Sequence, residues 1–255
     1  MCIRDSFKGV KIAKGELYRY LEANRGLAFI NKSEAHLLEM AGSAIYKVFY
    51  MQSETPDLGT PIFEVQLISA DPFLKVGYLS HKGELQIIQS QLLGLYNFNN
   101  IMTAITLGRY FKVPYQKIKQ AIEAYIPSNN RSQILEKGTN KFLLDAYNAN
   151  VTSMSKAIEN FASYKEKNKT AILGDMLELG TFSEKAHQQI IDLAKRLNIE
   201  TLTVGKEFAK IKAKGVKHFS DTETLKKWFW EQDFKDTFFL LKGSRGIGLE
   251  RLLND

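Results

Sequence analysis

A single cysteine, Cys2, stands in 255 residues, which excludes an internal disulfide and a cysteine-rich zinc site. No apolar run reaches the roughly 18 residues that a membrane span needs, and the start lacks the charged-then-apolar order of a secretory leader. The expectation is a soluble, cytoplasmic protein without membrane insertion. The phosphate-cradling pattern G-x-x-x-x-G-K-[ST] is absent, since Gly205-Lys206 is followed by Glu207 and has no upstream glycine at the right distance. Histidine is scarce as well, with four in the chain, and no Ser/His/Asp set declares itself. His187 falls on the apolar side of its helix with Ile190, Ile191 and Ala194, which reads as a core histidine, while His81 and His218 read as loop residues.

What is present is a globular composition, 44% hydrophobic and 25% charged, long enough for one large domain or two of ordinary size. Net charge is +7 with a pI near 9.2, and lysines cluster from Lys165 to Lys169 and from Lys206 to Lys217. Arginine and aromatic residues are not interleaved there as a base-stacking platform requires, so the expected partner is an anionic small substrate and not nucleic acid.

The chain divides near Gly94 to Asn130. Ahead of that segment the pattern predicts a helix over 12–24 and strands over 27–31, 44–51, 62–70, 73–80 and 84–89. Helices over 99–110 and 115–125 follow, the second carrying Ile118, Ala121, Ile122 and Tyr125 on one stripe until Pro127 breaks the run. From Arg131 strand and helix alternate: strand 142–145, a helix with Met154, Ala157, Ile158 and Phe161 on one face, strand 170–173, helix 183–197, strand 201–204, helix 222–230, strand 237–241 and a short closing helix. Units of this length imply a mostly parallel, doubly wound sheet of Rossmann-like architecture. The fold class is α/β throughout.

Each strand exit of this second block carries polar groups, and in open α/β sheets ligands bind at the carboxyl ends of the strands. Asp145-Ala146-Tyr147-Asn148-Ala149-Asn150 crowds a carboxylate, a phenol and two amides into one turn. In Gly174-Asp175-Met176-Leu177-Glu178-Leu179-Gly180 the glycines allow positive φ and close backbone approach, while Asp175 and Glu178 suit a cation or an ammonium group, or simply dress a helix start. Lys242, Ser244 and Arg245 sit between an apolar strand and a helix start, where amides and cations converge on a carboxylate or phosphate. The run Gly243-Ser244-Arg245-Gly246-Ile247-Gly248 mimics the glycine turn of short-chain dehydrogenases, but a dinucleotide fold needs its remaining units after that turn, and only a handful of residues follow.

These three segments, in this order and spacing, closely resemble the carboxyl-terminal domain of the Mur ligase family, and the resemblance runs from about Phe7 to the end. By that resemblance residues 7–126 are the carboxyl-terminal part of a central ATP-binding domain, with a mixed sheet and helices. Residues 127–255 are the Rossmann-like carboxyl-terminal domain, and residues 1–6, which fit no family pattern, read as a non-native scar. The chain then reads as the later half of a longer enzyme, without the phosphate loop, and inactive alone.

Leu95-Tyr96-Asn97-Phe98-Asn99-Asn100 matches the family's His-Asn-x-x-Asn segment, with Tyr96 in place of His, so the resemblance gives Asn100 the adenine of ATP. An amide donates and accepts along one purine edge. Arg131 resembles the residue contacting ribose and phosphates, and Asp145 the acid on the ribose hydroxyls. Lys14 resembles the lysine that the family carbamylates to help hold a second magnesium. Tyr147, Asn148, Asn150, Asp175, Glu178, Lys242, Ser244 and Arg245 are the candidate substrate-binding residues.

The implied activity is ATP- and Mg2+-dependent joining of D-alanyl-D-alanine to a UDP-N-acetylmuramoyl tripeptide through an acyl phosphate, a step of peptidoglycan precursor synthesis, by a monomer. Two other readings stay open: a folylpolyglutamate synthase-like ligase, which should lack the 147–150 and 174–180 signatures, and a non-catalytic nucleotide-binding fragment.

Overall fold

The computed structural model describes residues 7–42, 45–70, 73–127 and 132–254. The chain forms two compact units that meet in sequence between Tyr125 and Ile126. No helix among the described residues is long and apolar enough to cross a membrane.

The first unit opens with helix α1 (Phe7–Ala23), strand β1 (Leu27–Asn31) and a short helix α2 (Ala35–Met40). Strands β2 (Tyr46–Gln52), β3 (Ile62–Ser69), β4 (Phe73–Leu79) and β5 (Leu85–Leu93) follow, then helices α3 (Phe98–Tyr110) and α4 (Tyr115–Ala124). The strands lie in sequence order, with β1, β2 and β3 parallel and β3, β4 and β5 antiparallel, so the sheet is mixed as expected. Alternation sets its inner face. Leu74, Val76 and Tyr78 are buried two residues apart on β4, and they meet Phe98, Ile101, Met102 and Ile105 of α3, whose helical spacing makes one stripe.

In the second unit β6 (Gln133–Lys137) turns back onto β7 (Asn140–Asp145), and α5 (Val151–Ser163), β8 (Asn168–Gly174), α6 (Ser183–Arg196) and β9 (Glu200–Val204) follow. Strand β10 (Lys217–Phe219), helix α7 (Thr222–Glu231), strand β11 (Thr237–Lys242) and two 3-10 turns, Arg245–Ile247 and Leu249–Leu252, complete the described chain. The sheet order is β10-β9-β8-β11-β7-β6, parallel except for the β6 edge.

This order fixes where a site can form. From β7 the chain steps through β8 and β9 to β10 in one direction, so right-handed crossovers set α5 and α6 on the same face, where they pack together. It then returns through α7 to place β11 between β8 and β7, with α7 packed on the 249–252 turn. Helices cover both faces, which is why β11 is apolar residue after residue: Phe239 and Leu241 join the cluster with Phe142, Leu225 and Phe229, while Phe238 meets Phe161 with ring centroids 5.1 Å apart. Neighbouring strands β7 and β11 leave the sheet toward opposite faces, and the crevice of an open α/β sheet lies at such a reversal.

Several elements differ from the sequence reading. Helix α2 and strands β6 and β10 were not expected, because six, five and three residues respectively are too short for a hydrophobic period to stand out. Strand β5 continues to Leu93 beyond the predicted Gln89, and the expected closing helix is a pair of 3-10 turns. His218 is a strand residue of β10 and not a loop residue, with its Nδ1 3.1 Å from the Thr203 hydroxyl.

Candidate functional site

The carboxyl edge of the second sheet gathers the polar segments. Strand pairing sets Lys242 of β11 beside Asp145 of β7, and the Lys242 ammonium lies 3.1 Å from Asp145 Oδ2. Both side chains are nearly out of solvent, at 3% and 15% exposure, and Lys242 also donates to the backbone carbonyls of Asp145 and Asn148. Three acceptors for three N–H donors leave this lysine no capacity for a ligand. The expectation that Lys242 would take an anion therefore meets a cation already committed to tying the β7 exit loop to β11.

Asn148 and Asn150 act first on their own loop. Asn148 Oδ1 accepts the Ala149 N–H at 2.9 Å, and Asn150 caps α5, its Oδ1 accepting from Ser153 N while the Ser153 hydroxyl accepts the Asn150 N–H. Both residues are exposed, and their NH2 groups make no hydrogen bond among the described residues. Arg245 is exposed too, its guanidinium 5.5 Å from the centre of the Tyr147 ring, a cation over an aromatic face.

The loop after β8 is braced from beneath. Asp175 is 2% exposed, and its carboxylate accepts the N–H groups of Glu207 and Phe208 at 2.8 and 2.9 Å, capping the turn after β9. It is thus spent inside the fold and faces no incoming cation, contrary to the sequence expectation. His187 is fully buried, as its apolar helix face implied. Its Nε2 accepts the Met176 N–H at 3.0 Å and its Nδ1 donates to the Ser183 carbonyl at 2.7 Å, so although Asp175 Oδ1 is 3.8 Å away, the pair is not an ion pair. Ser244 is buried and accepts the Leu177 N–H through its hydroxyl at 3.0 Å, joining the β8 and β11 exits. Glu178 alone of these acids is exposed, at a φ of 66°.

Glycine serves this edge mainly through space. Gly180 has the expected positive φ, but Gly174 does not. A Cβ on Gly243 would lie 2.9 Å from the Gly174 Cα, so the β8 and β11 exits touch backbone to backbone. Ser183, Glu207 and Lys210 extend the network: Glu207 accepts from Ser183 at 2.6 Å and from Lys210 at 2.8 Å, and these bonds, Lys210 first, hold its carboxyl below the ordinary range. Sequence reasoning missed this set, although Ser183 and His187 at i, i+4 on one helix were a readable signal.

In the first unit Asn100 is exposed near the start of α3, where it donates to Asn97 Oδ1 at 2.9 Å, and buried Asn97 donates in turn to the Leu93 carbonyl at 2.8 Å. That chain of amides ties the exposed Asn100 side chain to the end of β5. Lys14 is exposed on α1. Arg131 lies outside the described residues.

Comparison with known proteins follows the same lines. Residues 130–245 match the family "Mur ligase, glutamate ligase domain". A UDP-N-acetylmuramoyl-tripeptide--D-alanyl-D-alanine ligase of Treponema pallidum is 32% identical over 65% of this chain and 38% of its own length, and its counterpart in Bacillus subtilis is 28% identical over 98% and 55%. Among solved structures, MurF from Acinetobacter baumannii superposes with a TM-score of 0.75 at 23% identity, covering 96% of this chain and 54% of that one. MurF from Thermotoga maritima, solved in complex with ADP, gives 0.70 at 18% identity. The chain spans about half the length of these proteins, or less. On the motifs, the sheet order and these matches together, residues 130–245 are a Mur ligase glutamate ligase domain, which makes up most of the second unit.

Proposed function

We propose that the protein to which this chain belongs is an ATP-dependent peptide ligase that joins D-alanyl-D-alanine to a UDP-N-acetylmuramoyl tripeptide, in the cytoplasm. The observation that carries the reading is the carboxyl edge of the second sheet, where Asp145, Tyr147, Asn148, Asn150 and Arg245 stand together on a frame built by Lys242, Ser244, Asp175 and His187. Both relatives quoted above carry that activity in their names.

In this reading the nucleotide is held at its base and sugar ends by residues of this chain. Asn100 offers an amide to the adenine edge, and Asp145, with one carboxylate oxygen anchored by Lys242, offers acceptors to ribose hydroxyls. Arg131 is assigned to the ribose and phosphates by sequence match. Arg245 and the two asparagine NH2 groups suit the carboxylate and amide of an incoming dipeptide, positioning its amine for attack on an acyl phosphate. No phosphate-cradling motif occurs in the 255 residues. Among the described residues no group of three or more His, Cys, Asp or Glu could hold a metal ion, so magnesium finds no ready ligand set here, and carbamylated Lys14 would supply at most one anionic ligand. The protein works as a monomer in this reading.

The test is phosphate release by the product of the complete reading frame, supplied with ATP, magnesium and a UDP-N-acetylmuramoyl tripeptide. D-alanyl-D-alanine should stimulate release, and Asp145→Asn should raise the KM for ATP. No stimulation by the dipeptide would sink the proposal.

A further inference from the structure

A pocket of about 660 Å³ opens in the first unit, between the β4 end and the loop joining α3 to α4, lined by Phe63, Tyr78, His81, Arg109, Lys112 and Tyr115 among others. Arg109 lies nine residues along α3 from Asn100, about 13 Å at roughly 1.5 Å per residue, so the pocket stands apart from the nucleotide-binding role proposed above.

Two of its polar groups, the Tyr78 hydroxyl and the Arg109 guanidinium, make no hydrogen bond among the described residues, whereas the Ser80 hydroxyl is taken by the Lys82 and Glu84 N–H groups. Tyr78 is 1% exposed, yet its hydroxyl has no hydrogen-bond partner among the described residues. Buried hydroxyls are almost always bonded, and an orphan costs stability unless something arrives to meet it. Arg109 is half-buried, with its guanidinium 4.9 Å from the Phe63 ring centre and 5.2 Å from that of Tyr78. Its five N–H donors make no hydrogen bond and no ion pair among the described residues, whereas an arginine kept only for structure binds carbonyls or a carboxylate. Burial pulls it below the usual guanidinium value. Lys112 adds a second cation at the lip, and no acidic side chain lines the pocket. Val113, Pro114 and Ile118 give the wall an apolar stretch, with Ser80 and Gln116 as the remaining polar residues.

We infer that this pocket binds a small organic oxyanion, a carboxylate or phosphate group on an apolar body, held by Arg109 with the Tyr78 hydroxyl and Lys112. The planar guanidinium matches two oxygens of such a group, the hydroxyl donates a third bond, and the apolar wall takes the body of the ligand.

Lys112 permits an unusual control. It ends α3 at a φ of 57°, in the left-handed region where glycine is unstrained, so Lys112→Gly removes the cation while relieving the backbone. Titration calorimetry of the 255-residue chain with phenyl phosphate, inorganic phosphate and uncharged benzyl alcohol tests the site. Phenyl phosphate should bind saturably and benzyl alcohol should not, and Arg109→Gln should weaken phenyl phosphate binding about tenfold. Tyr78→Phe should weaken binding without lowering the Tm of the ligand-free chain, and Lys112→Gly should weaken it while raising the Tm. Inorganic phosphate binding as tightly as phenyl phosphate would support the oxyanion site with the free ion as ligand. Equal affinity in wild type and Arg109→Gln, no saturable binding of either anion, or a lower Tm in ligand-free Tyr78→Phe would each overturn the inference.

Discussion

At the scale of single residues, the second unit rests on a few buried polar groups whose partners are fully assigned. The Lys242–Asp145 pair is the plainest case. Replacing Lys242 with methionine fills similar volume but strands the Asp145 carboxylate beside apolar strands, and breaking a buried pair on one side costs about 3 kcal/mol. Urea unfolding should show that loss, and the double variant Lys242→Met with Asp145→Asn should lose less than the two singles added together, since the charge left behind is then gone. A loss under about 1 kcal/mol in the single variant would mean that solvent reaches the pair. Asp221 makes a different, titratable contribution. It caps α7 by accepting from Thr224 N, and that backbone bond, with help from Ser220, pulls its pKa from 3.8 to about 2. A pKa depressed in the folded state stabilises above the unfolded value and fades as pH falls through the folded one, so the window runs from about pH 4 down to about 2. Asp221→Asn keeps the cap but carries no charge to titrate. Its stability should therefore fall less steeply than that of the wild type across that window, measured by thermal unfolding at stepped pH, and parallel slopes would contradict the assignment.

At the scale of elements, the loops at the carboxyl edge hold themselves in shape before any ligand arrives. The capping box at Asn150 and Ser153 separates shape from recognition: Asn150→Ala removes the cap and should cost about 1 kcal/mol, whereas Asn150→Asp retains the acceptor and removes the NH2 donors. The aspartate variant should then fold as well as wild type yet lose affinity for D-alanyl-D-alanine in the complete enzyme, and unchanged affinity would leave Asn150 a cap only. Elements of this kind were readable where period and punctuation agree. The stripe of Met154, Ala157, Ile158 and Phe161 marked α5, and the apolar run ending in Asp145 marked β7, because burial on both faces leaves a continuous signal. Strand β6 was not readable, since Gln133, Glu136 and Lys137 flank only Ile134 and Leu135 and its pairing with β7 is a tertiary fact. The same division runs through the site. Asp145, Asn148 and Asn150 could be picked out by type and place, but that Lys242 and Asp175 turn inward while Arg245 stays exposed depends on strand neighbours far away in sequence. Tyr78 and Arg109 carry no motif, and only packing shows that their polar atoms go unmet.

At the scale of the whole chain, each unit has apolar clusters of its own. The cluster around Phe142, Phe229 and Phe239 lies within the second, and the clusters around Val76 and Ile30 lie within the first. The second sheet is closed on both faces, and its edge at β6 is a short strand ending in Glu136 and Lys137, which discourages pairing with another chain. The first unit has less cover: Ile12, Leu17 and Tyr20 of α1 and Tyr46 of β2 are more than half exposed, and β1 is a sheet edge. Local opening is favoured where buried apolar contacts are few, and proteolysis samples such openings. Limited digestion of the 255-residue chain should therefore cut within the first unit and accumulate a fragment beginning near residue 126 that still unfolds cooperatively. Chymotrypsin suits the experiment, because exposed Leu17, Tyr20 and Tyr46 offer it sites in the first unit, while in the second Phe142, Phe161, Phe229 and Phe239 are buried and exposed Phe182 and Trp230 should resist cleavage longer. A first unit that outlasts the second, or a surviving fragment without a cooperative transition, would show that stability is not partitioned in this way and that the second unit depends on contacts its own core does not supply.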